Sequence, residues 1–269
     1  MECLPSEIVN EIIKLVDRSA LYSISHVCKQ WRQLALKRIT RIKDRNGFKN
    51  VCRQGDLLSI VKTKFNRAWI NDGLGSACEG GHGELAELMI AKGADDWHSG
   101  LHGACLGGHK DLAESMIDKG ATYWNSGLYN ACRGGHKELV ELIIVKGAND
   151  WNEALYSACE GGHEELVEFT IVKGANNWNS GLNSACHGGH KELAELMIAK
   201  GANEWNIFLW SACFGGYKEL AELMIAKGAN NWNSSLHGAC KGGHKDLVEL
   251  MIAKGADKCN CRKSVGDHL

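Results

Sequence analysis

Apolar residues recur along most of the chain at a spacing that predicts pairs of short amphipathic helices. Within residues 137–147, the apolar positions form one helical stripe beside charged Lys and Glu residues, and Gly147 is expected to end the helix. The stripe consists of Leu139, Val140, Leu142, Ile143 and Ile144. A helix pair this short cannot bury its apolar face alone, so each pair must stack on its neighbours.

The same pattern returns every 27 residues. Seven cysteines keep this step exactly: Cys78, Cys105, Cys132, Cys159, Cys186, Cys213 and Cys240. Six tryptophans keep it too: Trp97, Trp124, Trp151, Trp178, Trp205 and Trp232. A fixed period of this length predicts seven copies of one helix-turn-helix unit between residues 71 and 257.

Polar residues and glycines mark where the two helices of each unit should begin and end. An Asn after each of five tryptophans is expected to cap the first helix: Asn125, Asn152, Asn179, Asn206 and Asn233. A Gly-Gly pair should end that helix, because one glycine can adopt a positive φ. The His-Lys-Glu sequence that commonly follows is expected to start the second helix.

These units resemble the ankyrin repeat in the pattern Leu-x-x-Ala-Cys-x-Gly-Gly-His-x-x-Leu-x-x-Leu-x-Ile-x-x-Gly-Ala-Asp/Asn. The family period is about 33 residues, so the residues that normally form the β-hairpin are missing here. The resemblance implies an all-α solenoid with truncated hairpins and tight Trp-Asn turns. Residues 47–70 are interpreted as a degenerate capping repeat, and residues 258–269 as a C-terminal tail.

Residues 1–46 differ from the repeats, because they lack the period and are basic, with 10 Lys and Arg against 5 Asp and Glu over residues 1–50. Their apolar pattern predicts three helices. The segments Leu4-Pro5-x-Glu7 and Val27-Cys28-Lys29-Gln30-Trp31 resemble an F-box, which implies docking to the Skp-type adaptor of cullin-RING ubiquitin ligases. The resemblance assigns that contact to Leu4, Pro5, Ile8, Ile12, Leu15, Leu21, Val27 and Trp31. The alternative is a helical cap that shields the first repeat.

Composition and charge exclude several classes of function. Lys and Arg number 31 against 32 Asp and Glu, and beyond residue 50 the counts are 21 and 27, so no basic track favours nucleic acid even though the tryptophans could stack bases. We expect no membrane association, because no apolar run could span a bilayer. No catalytic motif is present, so we expect no enzyme and no cofactor. The N-terminus does not resemble a secretory signal, which favours a cytoplasmic or nuclear protein, including one acting in an infected host cell.

Cys-x-x-x-His recurs in six units and raises the alternative of a metal site. The Gly-Gly turn lies between the two residues, and each unit offers two ligands where tetrahedral zinc needs four. The cysteines occupy a position where ankyrin repeats have a small buried residue, and free Cys behaves as a small hydrophobic side chain. We therefore predict structural thiols and no metal.

Two columns of residues vary between the units and are interpreted as an exposed binding strip. They follow the first-helix Leu and the Cys, four residues apart, and therefore share one helical face. The predicted strip consists of His102, Leu106, Tyr129, Arg133, Tyr156, Glu160, Asn183, His187, Trp210, Phe214, His237 and Lys241. The sixth unit is the most apolar, with Ile207, Phe208 and Tyr217 beside Trp210 and Phe214. Neutral variation on a solvated face is the alternative.

Together the two resemblances imply a substrate-recruiting adaptor of an SCF-type cullin-RING ubiquitin ligase. Such a protein, expected here to be a monomer, would bind a Skp-type adaptor through its F-box and an unknown target protein through its repeats. This combination is associated with eukaryotes and large DNA viruses. The alternative function is a non-enzymatic scaffold or sequestering protein without ligase coupling.

Overall fold

The structure, a computed structural model, describes residues 44–56 and 67–257. This part of the chain contains fifteen α-helices and no β-strand, so the predicted all-α repeat array without hairpins is confirmed. The helices are α1 (Arg45–Arg53), α2 (Arg67–Glu79), α3 (Gly83–Ala91), α4 (Trp97–Gly107), α5 (Lys110–Asp118), α6 (Trp124–Gly134), α7 (Lys137–Val145), α8 (Trp151–Gly161), α9 (Glu164–Val172), α10 (Trp178–Gly188), α11 (Lys191–Lys200), α12 (Trp205–Gly215), α13 (Lys218–Ala226), α14 (Trp232–Gly242) and α15 (Lys245–Ala253).

The chain divides into two compact units, residues 1–123 and residues 124–269. In the first, α1 packs against α2, and α2 against α4. In the second, α6, α8, α10, α12 and α14 pack in succession, and each contacts the following second helix of its own repeat.

The predicted boundary between residues 46 and 47 falls within α1, whose first turn is capped by the Asp44 carboxylate. The eight predicted Skp-contact residues and the tail lie outside the described residues, and the domain boundaries stay predictions.

The glycines shape both turns of each repeat. Between α6 and α7, Gly135 has φ 80°, and after α7, Gly147 has φ 112°, a left-handed conformation that disfavours other residues. The backbone N–H of Gly147 and that of Ala148 close the end of α7 by donating to Ile144 and Ile143 carbonyls. The predicted turn at the Gly-Gly pair and the predicted stop at Gly147 therefore match the structure.

The predicted Asn caps are wrong, because the first helices begin at the tryptophan, which makes the Asn the second helical residue. At several first helices the capping side chain belongs to the residue before the tryptophan: Asp150 accepts from the Glu153 N–H at 3.3 Å, and Asn177 accepts from the Ser180 N–H at 3.2 Å. The expected Trp-Asn turns are wrong for the same reason. Trp and Asn lie in the first helical turn, and the turn between repeats is formed by the Gly-Ala segment and the capping residue.

The Asn after each tryptophan connects one repeat to the next. The Asn206 side-chain oxygen accepts from the backbone N–H groups of Asn230 and Asn231, at 2.7 and 2.9 Å. Asn152 binds the equivalent two N–H groups 24 and 25 residues later. A turn that has no hairpin partner thus has its backbone donors satisfied by the preceding repeat.

A second inter-repeat contact is made by the histidine that precedes the second helix in most repeats; the sixth repeat has Tyr217 at this position. His163 Nε2 donates to the Arg133 carbonyl at 2.9 Å, and His244 Nε2 donates to the Phe214 carbonyl at 3.0 Å. The first glycine of each Gly-Gly pair permits this approach: a Cβ atom on Gly161 would lie 2.2 Å from the Arg133 carbonyl oxygen. Glycine is therefore required there by packing as well as by the turn.

The core lies between the paired helices and consists of the same columns in every repeat. In the fifth repeat Leu182, Ala185, Cys186, Ala194 and Met197 are fully buried. The six periodic tryptophans are only partly buried. Trp151 packs edge-on against Phe169 of its own second helix, with ring centroids 6.4 Å apart. Trp151 therefore covers one end of its own helix pair.

Candidate binding surface

The predicted strip lies along the first helices, and the structure brings its members from successive repeats into contact. In the second compact unit these helices are α6, α8, α10, α12 and α14. The four-residue spacing within each helix places both columns on one face, as the sequence predicts. Tyr129, Tyr156, Asn183, Trp210 and Phe214 are partly buried, whereas Arg133, His187, His237 and Lys241 are exposed. The strip's role in binding stays a prediction.

Within the second compact unit, polar contacts join the strip residues of α6 and α8 to each other and to a neighbouring carboxylate. The Tyr129 hydroxyl donates to the Asp150 carboxylate at 2.8 Å, and burial, with this carboxylate, raises the pKa of the Tyr129 phenol. Arg133 pairs with Glu160 of the next repeat at 2.7 Å. The charges of Arg133 and Glu160 neutralise each other, so the strip positions of α6 and α8 carry no net charge.

The middle of the strip becomes aromatic at α12. The Trp210 and Phe214 rings stack in parallel, with centroids 5.3 Å apart and planes 2° apart. His187 of the preceding repeat stacks on Phe214 at 5.9 Å, and the Lys241 ammonium of the following repeat lies 5.5 Å from the Phe214 centroid. Phe214 is thus contacted from both neighbouring repeats, which fixes its orientation before any partner binds.

A glycine of the next helix makes room for Trp210. A Cβ atom on Gly238 would lie 2.9 Å from the Trp210 carbonyl oxygen and 3.2 Å from the indole Nε1. Most of the second-unit repeats have Ser at the equivalent position, as at Ser184 and Ser211. The indole therefore rests over α14 and is held there by packing.

The five apolar residues noted in the sixth repeat do not share one surface. Phe208 is 1% exposed and packs edge-on against Trp205, so its assignment to the strip's apolar surface is wrong. Its equivalent in the fifth repeat, Gly181, carries no side chain and therefore gave no sign that this position faces the core. Tyr217 is partly buried and covers Gly189 and Gly215. Ile207, which lies three residues before Trp210, is 54% exposed.

The strip positions of the first compact unit surround a small polar cavity. This cavity has a volume of about 140 Å³ and is lined by Glu79, His102 and Leu106, with Gly75 leaving space between them. Arg53 also lines it and pairs with Glu79 at 2.8 Å. Arg53 was not among the predicted strip residues, although it follows Cys52 as the strip residues of the second column follow the repeat cysteines.

The cysteine column has the properties of a buried structural thiol. Eight cysteines of the described residues are free and buried. Burial raises the pKa of Cys186 and of Cys213 to about 12, so that a metal-binding or nucleophilic thiolate is disfavoured at neutral pH. Among residues 44–56 and 67–257, no three His, Cys, Asp or Glu side chains are grouped so that they could hold a metal ion.

The described helices include none that is long and apolar enough to cross a bilayer. The described helices define a helical repeat protein whose variable side chains lie together on the first helix of each repeat. The family model for ankyrin repeats (3 copies) matches residues 101–181, 128–207 and 155–263, which together span more than half of the chain. The chain belongs to the ankyrin repeat family.

Further comparisons concern the N-terminus and known proteins. The family model for the F-box domain matches residues 1–43. F-box and ankyrin repeat families typically supply adaptor and binding modules. Among solved structures, the chain is similar to the human ASB11 ankyrin repeat domain, with 21% identity and a TM-score of 0.43, covering 69% of this chain and 99% of that one. Curated protein sequences gave no match.

Proposed function

We propose that this chain is a substrate-recruiting adaptor of an SCF-type cullin-RING ubiquitin ligase. Its F-box would bind a Skp-type adaptor, and its repeats would bind a target protein. The observation that carries the proposal is the match of residues 1–43 to the F-box model in a chain whose residues 101–263 match ankyrin repeats. This role requires the protein to meet the ligase in the cytoplasm or the nucleus, as the sequence analysis expects.

The mechanism is proximity and requires no chemistry from the repeats. Holding a target beside the ligase converts a bimolecular encounter into an intramolecular one at a high effective concentration. The buried cysteines suit this passive role, because a thiol with a pKa of about 12 is a poor nucleophile at neutral pH.

The proposed binding of the target protein rests on the strip, above all on Trp210 and Phe214. Interface hot spots are enriched in tryptophan and other large side chains held in place by their neighbours. Both rings are preorganised by stacking, and Ile207 extends the apolar surface on the same face of α12. Replacing Trp210 and Phe214 with Ala should therefore abolish target capture, with a small effect on thermal melting because neither ring is a core residue.

The experiment that tests the ligase half is co-purification with a Skp-type adaptor. The intact chain is compared with a chain that lacks residues 1–43 and with the variant Trp31→Ala. This deletion keeps Asp44, whose side chain caps α1, so the described helices should remain folded. Trp210→Ala serves as the matched control, since it removes a tryptophan from the strip and leaves the F-box intact.

Stoichiometric capture by the intact chain and by Trp210→Ala, with loss in the deletion and in Trp31→Ala, would support the adaptor function. If an intact chain with a helical circular dichroism spectrum captures no Skp-type adaptor, ligase coupling is wrong. The alternative of a scaffold or sequestering protein would then replace it.

A further inference from the structure

The C-terminal part of the strip combines exposed apolar and basic side chains in one place. We define the aromatic-basic patch as Ile207, Trp210, Phe214, His187, His237 and Lys241. Ile207, Trp210 and Phe214 follow the spacing i, i+3, i+7 and therefore form one stripe on α12. His187 lies on α10, whereas His237 and Lys241 lie on α14, so basic side chains flank the stripe on both sides.

The charge of the patch differs from that of the rest of the repeats. In the fifth to seventh repeats, the six strip positions hold two His and one Lys and no carboxylate. The nearest strip carboxylate toward the N-terminus, Glu160, is paired with Arg133. The second helices, in contrast, carry exposed carboxylates such as Glu195 and Glu222. The patch is therefore a local basic and apolar surface on an otherwise acidic array.

Such a surface is complementary to an acidic segment with large apolar side chains. Carboxylates of the partner would face His187, His237 and Lys241, and its apolar side chains would pack against Ile207 and the edges of the Trp210 and Phe214 rings. Lys241 is already positioned by its contact with Phe214, which reduces the entropy lost when it pairs with a carboxylate.

A single-stranded nucleic acid is the competing ligand for aromatic and basic side chains, and the geometry disfavours it. Base stacking needs an open ring face. Phe214 has His187 stacked on it from the preceding repeat and the Lys241 ammonium over its ring from the following one. A base would have to displace one of these side chains, and a single lysine in the patch cannot follow a phosphate backbone.

We propose that the aromatic-basic patch captures an acidic, apolar peptide segment of the target protein. This inference rests on the proposed target-binding function of the strip, and it adds the chemistry of the segment that is bound. It does not depend on whether the F-box engages a ligase.

The test is a selection from an unbiased displayed peptide library with the intact chain as bait. Selected peptides should carry net negative charge and at least one large apolar residue. They should bind the chain in solution, and the affinity should fall by about tenfold in Lys241→Glu, because one attraction becomes a repulsion. Lys241 is exposed, so this variant should keep the melting temperature of the parent.

A matched control is Lys245→Glu, which makes the same charge change on the second helix α15 at a side chain that is 72% exposed. This control should bind the selected peptides like the parent. Any of three outcomes would overturn the proposal. They are enrichment of neutral or basic peptides, equal losses of affinity in the two charge reversals, and selection of no peptide class more strongly by the parent chain than by Trp210→Ala. Tighter binding of a fluorescent single-stranded oligonucleotide than of the acidic peptides would overturn it as well.

Skp-type adaptor capture is measured on the same preparations. Acidic peptide selection without Skp-type capture would support the patch and reject ligase coupling. Skp-type capture without acidic selection would support ligase coupling and reject the patch chemistry.

Discussion

The fifth and sixth repeats have nearly the same sequence and present different surfaces. Between Trp178–Lys200 and the equivalent Trp205–Lys227, the two repeats differ at five positions, and each difference replaces a small or polar residue with a large apolar or aromatic one. The pairs are Ser180 and Ile207, Gly181 and Phe208, Asn183 and Trp210, His187 and Phe214, and His190 and Tyr217.

The structure divides these five substitutions among three environments. Phe208 enters the core, Tyr217 covers a glycine of the preceding repeat, and the other three lie on the outer face of α12. The first helices have equivalent bounds, and the second helices begin at equivalent residues and end within one residue of each other. A repeat scaffold can thus change its binding surface without changing its backbone, because the shared core columns and inter-repeat hydrogen bonds fix the fold.

The largest predicted effect concerns the thiol that both repeats share. Burial raises the pKa of seven thiols to about 12: Cys52, Cys78, Cys105, Cys132, Cys159, Cys186 and Cys213. An unfolded thiol titrates near 8.5. Below that pH both states keep their protons; above it the unfolded state loses them first, so the free energy of unfolding falls by about 1.4 kcal/mol per thiol per pH unit until the folded thiols titrate.

Thermal melting followed by circular dichroism between pH 7 and about pH 11 checks this expectation. The melting temperature should be level up to about pH 8.5 and then fall steeply. The double variant Cys186→Ala, Cys213→Ala should show a shallower fall. A melting temperature that stays constant to about pH 11 would show that the thiols are not buried as described.

The next effect separates the core residue of the sixth repeat from its surface neighbours. Phe208→Ala should reduce the free energy of unfolding by about 3–5 kcal/mol, because it empties a buried aromatic site. The adjacent Ile207→Ala, at a side chain that is 54% exposed, should change it by about 0.5 kcal/mol or less. Urea unfolding measures both, and similar values for the two variants would contradict the division between core and surface.

A smaller effect is expected for the hydrogen bond that joins the repeats. Asn206→Ala removes the acceptor of the Asn230 and Asn231 N–H groups and should cost about 1 kcal/mol, since water can partly replace it in an exposed turn. Asn230→Ala is the control, because it removes an exposed side chain and keeps the backbone donor. In urea unfolding, Asn206→Ala should have a clearly lower free energy of unfolding than Asn230→Ala. Equal free energies of unfolding would mean that the hydrogen bond between the repeats contributes nothing to stability.

The smallest effect is expected when the sixth repeat regains the common histidine. Tyr217→His should be tolerated within about 1 kcal/mol, because the equivalent His190 donates to the Glu160 carbonyl at 3.1 Å in the fifth repeat. Tyr217→Ala should cost more, since it removes the ring that covers Gly189 and Gly215. Equal losses in the two variants would show that histidine cannot replace the tyrosine contacts.

The repeat period and its glycines made the helix pairs predictable from the sequence. Positions such as Gly135 and Gly147 specify turns locally, and the apolar stripe specifies which side of each helix is buried. The helix caps were misplaced by two residues because Asp150 and Asn152 are both good capping residues by type. Their roles differ only through a partner 24 residues away in sequence, which no local pattern reveals.

The binding strip was predictable only in part. The four-residue spacing located the columns, since helix geometry alone places such residues on one face. The burial of Phe208 was not predictable, because Gly181 at the same column has no side chain to indicate which way it points. The cavity beside Gly75 was also hidden, since it depends on three helices meeting around a missing side chain.

The central claim, that the outer face of α12 recruits the target, is tested most directly by grafting the fifth repeat's surface onto the sixth. The triple variant Ile207→Ser, Trp210→Asn, Phe214→His keeps Phe208 and Tyr217 and should therefore fold like the parent. Proteins bound by each chain in cells are quantified, with the Skp-type adaptor as the internal reference. The account predicts that the adaptor stays bound while the target is lost. Equal binding of every partner by both chains would contradict it.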